Sequence, residues 1–175
     1  MDPLGASASV DVVGTLCRAE QLVFALLGEG AVRVAAPVGS ATAAAVADHA
    51  GWRARRWYEV LPLVDPDRFL EPSESDRRML AVARDQIVDA ATLLVVGREL
   101  VIRIAGLVAM VGERAVTPSD APLARMARMA AVDLAADLVD LDDAMRRSVP
   151  DPDARERVGR ARDAIAAVEW PSPAL

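Results

Sequence analysis

The sequence predicts an all-α fold, and three features of the chain support this prediction. The stretch Leu93–Val111 contains 14 apolar residues and only three charged ones, so a helix there would be apolar in nearly every direction. Elsewhere apolar residues recur at helical spacing between turns that contain proline or glycine. Hydrophobic residues make up 53% of the chain but aromatic residues only 3%, which favours closely packed helices. We expect the other helices to surround Leu93–Val111.

Length, charge and cysteine content limit what the chain can do. With 175 residues we expect one domain over 1–175, ending in a disordered tail at 170–175. A net charge of −6 argues against a nucleic-acid partner, which needs a basic face. Charges within the most apolar stretch argue against a membrane span. A single cysteine excludes an intrachain disulfide, and the N-terminal segment lacks the pattern of a secretion signal, so we expect a cytoplasmic protein.

The first predicted helix carries a carboxylate on its apolar face. This helix runs from about Ser9, which we expect to be the N-cap, to Leu27. Glu20 falls within the apolar stripe, one turn from Leu16 on one side and from Phe24 on the other. Its carboxylate should therefore point into the protein, where it needs a cation, a metal ion or a proton.

The second predicted helix brings basic groups to this carboxylate. It runs over about 41–61 and carries the only histidine of the chain, His49. If the two helices form an antiparallel hairpin, equal steps from the turn between them place Glu20 within reach of Arg53 and Arg56. We therefore expect an ion pair between the first two helices.

Prolines and a bend separate the remaining helices. The helical pattern returns at Ser75, another expected N-cap, and runs to about Ala115. One helix of that length would be unusual, so we expect a bend near Ala90 or Gly97. Thr117–Pro122 form a turn before the next helix. The predicted helices span about 9–27, 41–61, 75–90, 90–115, 121–147 and 152–168.

The second hairpin, which turns near Pro118, places more charges at the same level. Equal steps from this turn set Arg103 opposite Asp133 and Glu99 opposite Asp137. Charged residues from four helices should therefore meet near the middle of the bundle. The predicted polar layer consists of Glu20, Arg53, Arg56, Glu99, Arg103, Asp133 and Asp137, with His49 beside them.

Carboxylates from several helices at one level are the arrangement of ferritin-like carboxylate proteins. The runs DHAGWRARRWYEVLP (48–62), VGRELVIRIAGLV (96–108) and SDAPLARMARMAAVDLAADL (119–138) resemble ferritin-like helical-bundle proteins from actinobacteria. Helix order, tryptophan spacing and the Asp-Ala-Pro turn carry this resemblance. It implies a ferritin-like bundle. Together with the predicted last helix, we expect a ferritin-like four-helix bundle with an extra C-terminal helix.

The resemblance does not carry over the family's metal site. Glu20 and Glu99 match the expected single glutamates, but Val46 stands where a Glu-x-x-His motif ending at His49 needs glutamate. With one histidine in the chain, two such motifs are impossible. Two interpretations stay open: the arginines supply the positive charge, or carboxylates bind Fe or Mn. The candidate metal ligands are Glu20, His49, Glu99, Asp133 and Asp137.

Three functional interpretations follow. The leading one is a non-catalytic bundle without metal or other cofactor, which acts through protein contacts as a homodimer, because one thin bundle cannot bury so many apolar residues. The rival is a carboxylate-bridged Fe or Mn oxidase or oxygenase, and the third is a carrier of an apolar small molecule. The chain lacks the phosphate-loop and nucleophile motifs of other enzyme classes. For the dimer, the candidate faces are the last helix with Trp170 and the Trp52 side of the second helix.

Overall fold

The part of the chain that the structure describes folds into six α-helices. The computed structural model describes residues 4–34, 36–61, 65–148 and 152–171, and these ranges contain no β-strand. The all-α prediction is therefore confirmed. None of the described helices is both long and apolar enough to cross a membrane. The helices are α1 (Ala6–Arg33), α2 (Pro37–Tyr58), α3 (Glu74–Gln86), α4 (Ala90–Arg114), α5 (Ala121–Ser148) and α6 (Pro152–Ala166).

Local side-chain chemistry explains where the later helices begin. Ser73, rather than the predicted Ser75, caps α3 and forms a capping box with Asp76. Asp89 caps α4 and exchanges hydrogen bonds with Thr92 in the same way. The predicted bend near Ala90 is therefore a complete break between two capped helices.

The first two helices begin earlier than the sequence predicts. No side chain caps α1, which follows Gly5 and begins at Ala6 rather than at Ser9. Pro37 is the first residue of α2, a position where its missing N–H is tolerated. α1 also continues through Gly30, where α1 lies so close to α4 that a Cβ would be 2.4 Å from Cδ1 of Leu93. This glycine allows close packing instead of ending the helix.

The four long helices enclose one apolar core. α1 packs along α2, α4 packs along α5, and contacts between α2 and α5 and between α1 and α4 join the two hairpins. The shorter helices lie outside this group: α6 packs on α4 and α3, and α3 packs on α1. Residues from all four long helices are completely buried, among them Leu16, Ala50, Leu100 and Leu134.

α4 is surrounded by protein only in its first two turns. Ala91–Gly97 are buried without interruption, as a helix that is apolar all round requires. Beyond Gly97 one face is exposed, including Ile102 and Ala109. The prediction of a fully surrounded helix is therefore right for the first two turns and wrong for the rest.

After α6 the described chain continues to residue 171 and includes Trp170, the first residue of the predicted disordered tail at 170–175. Trp170 is buried, and its indole N–H donates to Oδ1 of Asp76 at 2.8 Å. The burial of Trp170 argues against disorder at this one residue, whereas residues 172–175 lie outside the described ranges and the tail there stays a prediction. Because its side chain is buried, Trp170 cannot supply the predicted dimer surface.

Candidate functional site

Four side chains from three helices form one hydrogen-bonded group inside the bundle. Arg53 donates to both carboxylate oxygens of Glu20, from Nε at 2.7 Å and from Nη2 at 3.1 Å. Its Nη1 donates to Oδ2 of Asp137 at 2.7 Å. The other oxygen of Asp137 lies 2.7 Å from Nδ1 of His49. We call these four residues, Glu20, Arg53, Asp137 and His49, the charge cluster.

The positions of these residues within their helices bring them together. On α1 Glu20 follows Leu16 by one turn, and on α5 Asp137 lies between Leu134 and Leu141, so both carboxylates occupy faces that are otherwise apolar. His49 and Arg53 are four residues apart on α2 and share one face of that helix.

The charge cluster is strongly desolvated, and this changes its protonation. Glu20, Arg53 and Asp137 are fully buried. Burial raises the pKa of Glu20 to about 7, although Arg53 opposes this shift. One guanidinium between two carboxylates leaves a net negative charge when His49 is neutral, which also favours a proton on Glu20. Burial works against the charge of Arg53, but Glu20 and Asp137 raise its pKa above the ordinary value.

His49 connects the charge cluster to the surface. Its side chain is half exposed and lines a pocket of about 390 Å³ together with Asp48, Trp52, Asp133 and Ala136. An ionised Asp137 would fix the ring with its proton on Nδ1, and a neutral ring would then leave Nε2 as a proton acceptor. This is the arrangement of a general base. The pocket lining includes no serine, threonine or cysteine that His49 could activate.

Three residues of the predicted polar layer lie away from the charge cluster: Arg56, Glu99 and Arg103. Glu99 is also one of the candidate metal ligands. Arg56 is on the surface, where it pairs with Glu59 and stacks over Trp52 at 5.2 Å. It follows Arg53 by three residues, and this rotation turns it outward. Glu99 pairs instead with Arg98 and Arg162.

Arg103 is the third residue that the prediction misplaces. It donates to the carbonyl oxygens of Ile165, Val168 and Trp170, at 2.9, 2.6 and 2.9 Å. Its guanidinium therefore binds the C-terminal end of α6 and the residues that follow it. Asp133, which was expected opposite Arg103, is only partly buried and lines the His49 pocket.

The candidate ligands do not fit the metal site that a ferritin-like resemblance implies. Between the carboxylates of Glu20 and Asp137 lies the guanidinium of Arg53, which already forms ion pairs with both and occupies the place that a metal ion would need. Glu99 belongs to a different group of charges. Among the described residues, no three side chains of His, Cys, Asp or Glu converge in a way that could hold a metal ion.

A second buried group of polar side chains has no counterpart in the predictions. Asp76 accepts hydrogen bonds from Arg18, at 2.9 Å, and from Trp170. Burial opposes its charge, but hydrogen bonds from Ser73, Arg18 and Trp170 lower the pKa of Asp76. The spacing of Ser73 and Asp76 suggests a capping box, whereas no pattern in the sequence places Arg18 or Trp170 beside Asp76.

Compared with protein-family models, with curated proteins and with solved structures, the chain matches none of them.

Proposed function

We propose that this protein is a non-catalytic, metal-free ferritin-like bundle that acts through protein contacts, and that its first partner is a second copy of itself. The observation that carries this proposal is an apolar patch on the surface between α2 and α5. Trp52, Met129 and Val132 are 40%, 42% and 70% exposed and line one shallow depression. Contiguous apolar surface of this kind marks interaction sites.

The composition of the patch also fits a protein interface. Tryptophan and methionine are enriched in the buried centres of interfaces, and arginine is enriched among the residues that contribute most to binding. Arg125 and Arg128 line the same depression as Trp52 and Met129. The patch thus has an apolar centre with charged groups at its edge.

The charge cluster supports the metal-free part of this proposal. In a ferritin-like metal centre the carboxylates face the ions, whereas Glu20 and Asp137 both bind Arg53. Arginine suits this place because its planar fork matches carboxylates. We infer that the cluster acts as an internal support between α1, α2 and α5.

Sedimentation at micromolar concentration tests the homodimer. We expect a species with twice the 18.6 kDa mass of the chain, because the apolar patch would be covered in the dimer. A monomer at these concentrations would contradict the proposal.

Elemental analysis tests the absence of metal. Protein purified without chelator should contain Fe and Mn far below one ion per chain, and chelation should leave its thermal unfolding unchanged. About one tightly held ion per chain would overturn the metal-free assignment and favour the oxidase or oxygenase interpretation.

A further inference from the structure

α5 carries a second apolar stripe, on the side that faces away from the bundle. Its inner stripe, which includes Ala130, Leu134 and Leu141, is completely buried. The outer stripe is exposed and follows the spacing 3, 4, 3, which is that of positions a and d in a coiled coil. We call these four residues the outer seam: Met129, Val132, Ala136 and Val139.

The outer seam is symmetric about the position of Leu134. Met129 and Val139 each lie five residues from Leu134, and Val132 and Ala136 each lie two residues from it. Each residue of the seam therefore has an apolar counterpart at the same distance on the other side. An antiparallel copy of the same helix would place Met129 level with Val139, and Val132 level with Ala136.

The charges at the two ends of the outer seam are opposite in sign. Arg125 and Arg128 precede the seam, and Asp140 and Asp143 follow it. Arg128 and Asp140 each lie six residues from Leu134, and Arg125 and Asp143 each lie nine residues from it. Within the described residues no ion pair joins Arg125, Arg128 or Asp140 to another side chain of the chain. Antiparallel pairing would bring basic ends level with acidic ends, whereas parallel pairing would bring like charges together.

We propose that two copies of this protein pair through α5, with the outer seams antiparallel. The two-fold axis would pass between the two α5 helices at the level of Leu134. The proposal rests on the homodimer proposed above and specifies its interface. A two-fold axis requires a surface that is complementary to itself, and the symmetric seam with opposite charges at its ends meets this requirement. Trp52 lies beside the seam and would extend the contact along α2. A partner of different sequence would not require this internal symmetry.

Substitution of the outer seam tests the proposed interface. Val132→Glu should lower the apparent mass from dimer to monomer, because it buries two carboxylates near the two-fold axis. Val88→Glu is the matched control: Val88 is 66% exposed, close to the value for Val132, but lies between α3 and α4. Circular dichroism should show that both variants fold. A Val132→Glu variant that remains dimeric would overturn the α5 interface.

Cysteine cross-linking tests the antiparallel arrangement. In the double variant Met129→Cys/Val139→Cys, the new cysteines of the two copies would lie level and should form disulfides on oxidation. The native Cys17 is completely buried and should not contribute. Each single variant should cross-link about tenfold more slowly or not at all, because its cysteines would lie near opposite ends of the seam.

These outcomes show separately whether the proposed α5 interface is wrong or whether the homodimer itself is wrong. Rapid cross-linking of each single variant would show parallel pairing and overturn the antiparallel arrangement. A dimeric double variant that does not cross-link would place the interface elsewhere and leave the homodimer intact. A monomeric wild-type protein would overturn both proposals.

Discussion

Arg53 binds carboxylates from two other helices, so the cost of removing any one of these three groups depends on what stays behind. At pH 8, where Glu20 is mostly ionised, Glu20→Ala should lower the free energy of unfolding by about 3 kcal/mol. This is the lower end of the range for a broken buried pair, because Arg53 keeps Asp137. Urea denaturation at one fixed protein concentration measures the loss.

Apolar replacement of the buried charges provides the control. The double variant Glu20→Leu/Arg53→Met should recover only part of the loss, because Asp137 then keeps His49 as its one partner in the cluster. Adding Asp137→Leu should recover most of it, since buried ion pairs are often replaceable by apolar residues. A triple variant less stable than Glu20→Ala would contradict this account.

Glu20 also predicts a pH dependence of stability. Its pKa of about 7 in the folded protein lies above the ordinary value of 4.5, so between these pH values the folded state binds more protons than the unfolded state. The contribution of Glu20 to the free energy of unfolding is therefore largest below pH 4.5 and falls as the pH rises through 7. We expect a decrease of about 2 kcal/mol between pH 5 and 8.

The Glu20→Gln variant isolates this effect, because glutamine cannot ionise. His49 shares Asp137 with Arg53, so both proteins should carry His49→Gln during the comparison. Urea denaturation at several pH values should then show a steeper decrease for the protein that retains Glu20. Equal slopes would show that Glu20 does not titrate between pH 5 and 8 in the folded protein.

Counting along the predicted hairpins identified part of the charge cluster. Glu20 and Arg53 meet as expected, because each lies on the apolar side of its helix and both are at the same level. Equal steps from a turn give the level of a residue but not its direction around the helix. Arg56 was misplaced for this reason, since it lies at the right level but points to the surface.

At the scale of single helices, the side chain of Arg103 on α4 holds the C-terminal end of α6 in place. Because its guanidinium binds three backbone carbonyls, Arg103→Met should lower the free energy of unfolding by about 2 kcal/mol. Hydrogen exchange should accelerate most over residues 160–170. Arg155→Met is the control, because Arg155 is an exposed arginine of α6, the helix whose end Arg103 binds. Equal exchange in the two variants would show that packing alone holds this segment.

Helix boundaries were predictable where a side chain caps the helix and less so elsewhere. The break before α4 lies close to its predicted place, and Asp89 provides the cap. The beginning of α1 has no side-chain cap, so nothing in the sequence marks Ala6 rather than Ser9. The hydrogen bonds from Arg103 to backbone carbonyls could not be predicted either. Every residue has a carbonyl group, so the sequence does not indicate which ones Arg103 reaches.

At the scale of the whole molecule, the helical class and the enclosure of the first two turns of α4 could be predicted from the sequence. Apolar spacing decides both, since it reports which side of a helix avoids water. The place of α6 and the buried position of Trp170 were not predictable. Both depend on contacts between distant segments, such as the hydrogen bond from Trp170 to Asp76.

The apolar interior consists largely of Ala, Val and Leu. With such a core, the charge cluster has a second role, which is to fix how the helices align. Small aliphatic side chains fit against one another almost equally well if two helices slide by one turn, about 5.4 Å. Such a slide would separate Arg53 from Glu20 and leave a buried carboxylate without its cation, which is costly. We therefore expect the cluster to select one alignment of α1, α2 and α5 among many of similar packing energy.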